Sequence, residues 1–498
     1  MKKNINLIAI ILIIVLSIGI TSKEFQNDTF YIIKVGESIM KNGVDMVDHF
    51  SIHNIPYQYE HWLHDVIVYL IYNNFGFTGL YISNMVFASI LGIMIYFFTK
   101  KLYDNEYISL IFTILIIIMM KDFIATRAQL LSYIIFVFEM YSLEMLNNSG
   151  KKRCIIYLML GSILCANIHS AVWPMYLVLF LPYFASFLLS KYKSCSFDLK
   201  GIKIRKNKNS WLINNDKKFD IPRLKEDNFK WMKYTLFAFV LCILVAFLNP
   251  NHNQCFTYFI NVKKGTTLSY IGEHQPLILY NAILFLIYLF IISCYLIFNN
   301  HSIKLKSIML LSGLLYLAIS STRHESLFLI VGAFPIIEIF SNLKIERESV
   351  RQKIILFFSI FVILISLFLF KTNYGKKYIS NDYPKAAIDF LDGHLDKSEI
   401  TLFNNYNYGS YIIFRNYKVF IDSRVNLYTK SFNKLDYDIF DEWNSIYVAG
   451  KYEIIFEKYK ITHILIEKNS FLSLILNKDS NYKKIYCDNE FVIYSKKI

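Results

Sequence analysis

Residues 107–153, YISLIFTILIIIMMKDFIATRAQLLSYIIFVFEMYSLEMLNNSGKKR, decide the class of this chain. Two apolar runs, 107–121 and 128–146, flank a short polar turn holding Arg127, and the basic loop Lys151-Lys152-Arg153 follows. Runs of this kind cross the roughly 30 Å hydrocarbon core of a bilayer as helices, because a helix satisfies its backbone amides internally where no water can. Further runs fall near 79–99, 154–169, 172–190, 231–248, 277–298, 307–320, 326–341 and 354–371, with a first one from about Asn6 to Thr21 behind Lys2 and Lys3. The reading is a mostly α, polytopic membrane protein of about eleven transmembrane helices. The first run has no small-x-small cleavage site in LSIGITSKEF and reads as a retained helix.

The basic residues set the orientation. Lys100-Lys101, Lys151 to Arg153, the segment 191–230, Lys304 with Lys306, and 344–353 occupy alternate loops, and short loops rich in Lys and Arg stay in the cytoplasm. That parity puts 22–78, 121–127, 249–276, 321–325 and everything after about Thr372 on the outer face. The net charge of +15 is then a topology and lipid-surface signal, which argues against a nucleic-acid footprint. Of seven cysteines only Cys255 and Cys487 face outward on this topology, so at most one external disulfide can form. With no C-x-x-C, neither a zinc ribbon nor a thioredoxin-type site is present.

Residues 1–371 therefore form a transmembrane core, with an outer loop 22–78 and a cytoplasmic loop 191–230, and 372–498 an extracytoplasmic α/β domain. In the latter, KAAIDFLDGH and YEIIFEKYK read as helices, and EITLFN, KVFID, THILIEK, KKIYCD and EFVIYSKK as strands. In the outer loop, TFYIIKVGESIMKNG and HWLHDVIVYLIYNNFG read as amphipathic helices lying at the interface.

The same loop contains DHFSIHNIPYQYEHWLHD, residues 48–65, with seven Asp, Glu and His side chains. On a helix from 60, Glu60 with His64 and His61 with Asp65 share faces at i, i+4. Such a cluster suits a general base or one divalent ion; the alternative is a solvated loop with acids favoured by the helix dipole. EHWLHD matches no zinc-protease pattern. Polar groups also gather at the outer ends of the spans: Arg127 and Gln129, Asn167 and His169, His252, Glu273 and His274, and Arg323, His324 and Glu325. Each alone reads as a snorkelling or interfacial group. Arginine, however, is scarce. Of nine, only Arg127, Arg323, Arg415 and Arg424 fall on the outer side. A guanidinium beside an acid is what a lipid phosphate and a hydroxyl nucleophile would require, since it binds phosphate bidentately and stays charged.

In order along the chain, DHFSIHNIPYQYEHWL, ATRAQLLSY, CANIHSAVWP, LNPNHNQ with IGEHQP, STRHESLFLIVGAFP and NNYNYGSYIIFRNYKVFIDSRVNLY resemble the blocks of a bacterial branch of the GT-C class of integral membrane glycosyltransferases. The resemblance covers the chain outside 191–230. It implies transfer of a sugar from a polyprenyl-phosphate donor to a glycan, lipid or protein acceptor of the cell envelope, in contact with membrane lipid. It gives Asp48 the role of catalytic base or metal holder, Glu60 and Glu273 supporting acidic roles, and Arg127, Arg323 and His169 the donor phosphate. The resemblance leaves metal use open; where the reaction uses a divalent cation, Mg2+ or Mn2+, Asp48 and Glu273 would hold it. NNYNYGSYI followed by FIDSR is similar to the Trp-Trp-Asp-Tyr-Gly region of oligosaccharyltransferase catalytic subunits, with Asn407 where the Asp would stand. That similarity puts Tyr408, Gly409, Asp422 and Arg424 on the acceptor side; otherwise Tyr408-Gly409 is a helix start and Asp422 pairs with Arg424 at the junction with the core. Two other readings stay open: a transporter or flippase of lipid-linked or small polar solutes, and a non-catalytic envelope binding protein.

Overall fold

A computed structural model describes residues 2–192, 229–264, 271–278, 282–298, 303–343 and 347–497. The helical core is built from α1 (Lys2–Ile20), α2 (Asn27–Asn42), α3 (Trp62–Tyr103), α4 (Glu106–Met119), α5 (Ala128–Ser149), α6 (Arg153–Ile168), α7 (Trp173–Val178), α8 (Leu181–Tyr192), α9 (Met232–Val245), α10 (Gln254–Lys264), α11 (Ile283–Phe298), α12 (Leu305–Ser320), α13 (Glu325–Phe340) and α14 (Glu348–Tyr374). Four described segments, Trp62–Tyr103, Ala128–Ser149, Ser170–Leu189 and Glu348–Asn373, are helical, long and apolar enough to cross a membrane, and six shorter apolar helices accompany them. The lipid-length character shows on α14, where Leu356, Phe357, Leu364, Leu367 and Phe368 are exposed, a pattern that needs a non-aqueous surround.

Local chemistry places the ends. Asn105 caps α4 by accepting from the Ile108 amide at 3.1 Å, and Gly150 ends α5 at φ 65°, a left-handed conformation open to glycine without strain. Gly76, at φ 61° and ψ −158°, breaks α3 into two arms. The first arm corresponds to the amphipathic segment 61–76 and the second to the span 79–99. Lys306, read from sequence as a loop charge, is buried within α12 with its Nζ 2.7 Å from both carboxylate oxygens of Glu144. Tyr183 donates to the same carboxylate at 2.8 Å. Hydrophobicity alone does not separate a loop lysine from one that pairs across helices.

The C-terminal residues form α15 (Lys385–His394), α16 (Gly409–Phe414), α17 (Lys430–Asn433), α18 (Ile439–Ala449), α19 (Glu453–Lys458) and α20 (Phe471–Leu476) around one sheet of order β1-β2-β4-β3. Here β1 (Leu402–Asn404) runs parallel to β2 (His463–Glu467), with Leu402 opposite His463. β4 (Phe491–Lys496) is antiparallel to both β2 and β3 (Tyr482–Cys487), with Ile464 opposite Tyr494. Four of the five expected strands are present. KVFID is not one of them: the Asn404 side chain accepts from the Phe420 amide at 2.9 Å and donates to the Ile421 carbonyl at 2.7 Å, so a side chain takes the bonds a ladder would have used. Val419 instead bridges to Ser51 of the first loop.

Two apolar cores result. One lies among the core helices. The second joins α2 and the first arm of α3 to the C-terminal α/β unit: Phe30 meets the rings of Tyr383 and Tyr411 at 5.0 and 5.3 Å. α2 is thus enclosed between α3 and α16, where sequence suggested an open interfacial helix. The approach is close enough that a Cβ on Gly36 would meet the Asp65 carbonyl oxygen. Cys255 is buried, Cys487 is exposed, and both are free thiols.

Candidate functional site

The end of the helical core covered by the α/β unit carries two arginine-centred clusters. In the first, the loop after α2 turns at Asp48, whose carboxylate accepts from the amides of Phe50 at 3.3 Å and Ser51 at 3.0 Å. Its Oδ1 also accepts from Arg424 Nη1 at 2.7 Å. Arg424 grips Asp422 through Nε at 2.9 Å and Nη2 at 2.7 Å, and the Tyr428 hydroxyl donates to Asp422. The guanidinium lies 4.9 Å from the ring centroid of Tyr57 and 5.3 Å from that of Phe50. Side-chain exposure is 4% for the arginine and 0% for each acid. Burial pushes the Asp48 pKa up, but the Arg424 charge and the donated hydrogen bonds outweigh it and hold the carboxyl below its ordinary value.

The second cluster has the same parts in a more open setting. Arg127, the residue before α5, donates through Nη2 to Asp28 at 2.7 Å and through Nη1 to Glu273 at 2.6 Å. Exposure here is 25% for Arg127, 21% for Asp28 and 50% for Glu273. Arg127 Nε is buried without a hydrogen-bond partner. The Glu273 carbonyl accepts from the hydroxyls of Ser321 and Thr322 at 2.9 and 3.0 Å, which ties the Glu273 turn to the turn bearing Arg323. Arg323 Nη1 in turn lies 3.4 Å from His274 Nε2. Burial tends to raise the Glu273 pKa, yet Arg127 and then Arg323 bring it below the ordinary value. Burial and Arg323 push His274 down to about 4.

Between the clusters lies the turn into α3. The Glu60 carbonyl accepts from the Ser170 amide at 2.8 Å and hydroxyl at 2.9 Å, and its carboxylate accepts from the Tyr258 hydroxyl. Asn426 of the α/β unit donates to that same hydroxyl at 2.8 Å. Burial raises the Glu60 pKa, with His61 and Tyr258 opposing. His61 Nδ1 sits 2.6 Å from Asp65 Oδ1 and its Nε2 3.1 Å from the Tyr31 hydroxyl. Burial lowers the His61 pKa but the Asp65 carboxylate carries it to about 9. His169, in the turn after α6, places Nδ1 3.0 Å from Ser132 Oγ, with its ring 6.4 Å from that of His61.

No protein-family model and no curated protein matches this sequence. Solved structures match its fold. The archaeal oligosaccharyltransferase AglB of Archaeoglobus fulgidus, in complex with an inhibitory peptide and a dolichol-phosphate, superposes at TM-score 0.62 with 12% identity, covering 100% of this chain and 74% of that one. The chain has the GT-C fold. The A. fulgidus enzyme tethered to an acceptor peptide containing an NVT sequon gives TM-score 0.57 at 10% identity, over 99% and 74% of the two chains. Its apo form gives 0.61 at 10% identity, over 93% and 69%. At such identity the likeness is one of fold.

Within this GT-C fold the residues singled out from sequence fall into three places. Arg127, Glu273 and Arg323 come together through the Glu273 turn, and Glu60 and His169 are joined through Ser170 and the turn that follows α6. Asp48, Asp422 and Arg424 form the closed cluster, in which both Asp48 oxygens accept hydrogen bonds. Among the described residues, the three-donor group whose ligand atoms lie within 4.8 Å of one another is His61, His64 and Asp65, whereas Asp48 and Glu273 each face a guanidinium. Tyr408 and Gly409 lie inside the α/β unit: the Tyr408 hydroxyl donates to the Leu465 carbonyl at 3.1 Å, and Gly409 opens α16 where a Cβ would strike the Ile421 carbonyl. Sequence reading missed Asp28 and Tyr258. Asp28 stands in the first turn of α2, where an acid is ordinary, and nothing local marks it as an arginine's partner.

Proposed function

We propose that the protein is a membrane glycosyltransferase that takes a sugar from a polyprenyl-phosphate donor and attaches it to an envelope glycan, lipid or protein acceptor on the outer face of the membrane, with about eleven spans and an extracytoplasmic domain 372–498. The observation that carries this reading is the half-open clamp in which Arg127 holds Asp28 and Glu273 beside Arg323, within a fold whose solved neighbour binds dolichol-phosphate. A donor phosphate competes with the two carboxylates for the Arg127 guanidinium, since phosphate and carboxylate use the same bidentate donors. Glu273, released, accepts the proton of the acceptor hydroxyl as its oxygen attacks the anomeric carbon. The bond from that carbon to the phosphate oxygen breaks, and the phosphate leaves as an anion stabilised by Arg127 and Arg323. Asp48 takes the role of a tie that seats the C-terminal unit over the site.

The test is transfer of radiolabelled sugar from a panel of undecaprenyl-phosphate sugars by purified protein in detergent, with envelope extract as acceptor. Wild type is expected to transfer label, with Arg127→Gln and Glu273→Gln each reduced by roughly a hundredfold or more. No transfer from any donor by folded protein, or full transfer by both variants, would overturn the reading.

A further inference from the structure

We propose that His61, His64 and Asp65 form a site for one borderline divalent cation of the zinc class at the start of α3. All three side chains are buried and their ligand atoms lie within 4.8 Å of one another. The Nδ1 atoms of His61 and His64 converge on the same oxygen, Asp65 Oδ1, at 2.6 and 3.5 Å. The other carboxylate oxygen, Asp65 Oδ2, is buried with no hydrogen-bond partner. A buried acceptor left bare costs on the order of 1–3 kcal/mol, and a cation held by both oxygens of the Asp65 carboxylate removes that deficit.

The donor set selects the ion. Two imidazoles and one carboxylate suit Zn2+, Co2+ or Ni2+, whereas Mg2+ prefers six oxygens and retains its water. A tetrahedral ion about 2.1 Å from each donor separates them by about 3.4 Å. The His64–Asp65 pair is already at 3.5 Å, and the His61–Asp65 pair at 2.6 Å opens by under about 1 Å as the proton between them leaves. His61 Nε2 is turned to the Tyr31 hydroxyl at 3.1 Å, the kind of outer hydrogen bond that orients a ligating imidazole. The donors are also held from behind: the Asp65 amide donates to the His61 carbonyl at 3.0 Å, and the Asp65 carbonyl abuts Gly36 of α2. Three protein ligands leave a further coordination position. A cavity of about 10 Å³ bordered by His64, Asn84, Thr126 and Arg127 has room for about one water beside it.

This assignment does not depend on the transferase reading, because its readouts are metal content and spectrum. Full-length protein in detergent, stripped with chelator and dialysed against Zn2+, is expected to retain one equivalent per chain. Co2+ is expected to give the strong visible absorption of a low-symmetry nitrogen and oxygen site, displaced by Zn2+ but not by excess Mg2+. His64→Gln and Asp65→Asn should each weaken binding by at least about tenfold. Tyr31→Phe, which removes no donor, should weaken it less, and His49→Gln, an exposed imidazole paired with Asp45, should leave it unchanged. Should the donor variants fail to fold, the wild-type spectrum and Tyr31→Phe still decide. Folded wild type without a stoichiometric ion, uptake displaced by Mg2+, or full uptake by folded donor variants would overturn the site.

Discussion

Arg424 and Arg127 are each an arginine between two carboxylates, yet the structure uses them in opposite ways. Arg424 is 4% exposed between two fully buried acids, and Arg127 is 25% exposed between acids at 21% and 50%. A charge cluster cut off from water is hard to open, because removing one member strands the others in a low-dielectric interior. A clamp that touches solvent opens readily, because water and ions compensate each partner. Chemistry needs a group that can exchange partners, and docking needs one that cannot. Burial, not residue type, separates a cluster suited to tying segments together from one suited to exchanging partners.

Breaking the tie should have the largest effect on the fold. Arg424→Met leaves Asp48 and Asp422 without their counter-charge, and is expected to destabilise seating of the α/β unit by about 3–5 kcal/mol. Limited proteolysis and hydrogen exchange across 44–59 and 418–430 would report it; protection equal to wild type would remove the contrast. Asp48→Asn keeps the shape but drops one charge, for about 1–3 kcal/mol. If Asp48 is a tie, transfer per folded molecule is retained. Unchanged melting with abolished transfer would instead return Asp48 to the role of base.

A smaller effect should come from pH. His53 Nε2 donates to the Phe420 carbonyl at 2.7 Å across the same junction. Burial is the largest influence on His53 and holds its pKa below the ordinary 6.5. The unfolded chain therefore takes up this proton first: the stability contributed is complete above 6.5 and is lost as pH falls through the lowered folded value. Protection of the amides at 50–53 and 418–421, taken relative to their intrinsic exchange rates, should weaken as pH falls below 6.5, and His53→Gln should abolish that dependence. Smallest of all, Arg127→Gln should change stability by about 1 kcal/mol or less, while cutting sugar transfer by roughly a hundredfold or more. Its melting temperature should vary with salt less than that of wild type. A loss of stability as large as that of Arg424→Met would erase the distinction between the clusters.

Much of the architecture was legible. The apolar runs anticipate the core helices, KAAIDFLDGH coincides with α15, and four strand segments fall where β1 to β4 lie. KVFID misled because its alternation is strand-like, while the bonds it would have made belong to Asn404. Lys306 misled because a lysine near a helix end usually reaches water, and here it reaches Glu144. At the site, the scarcity of arginine drew attention to Arg127, Arg323 and Arg424, and the structure pairs Arg127 and Arg424 with carboxylates. It could not show that Arg424 would enclose Asp48, 376 positions away.

What the sequence determined by itself is what depends on short-range order: helix-length apolar runs, their polar turns and a C-terminal α/β segment. Those follow from backbone hydrogen bonding and hydrophobic periodicity, which act over a few residues. Only the tertiary structure decided which carboxylate meets which arginine, that α2 shares a core with the C-terminal unit, and that Asp65 has one bare oxygen beside two imidazoles. Those outcomes depend on distance and dielectric between segments far apart in the chain, and no local pattern encodes either.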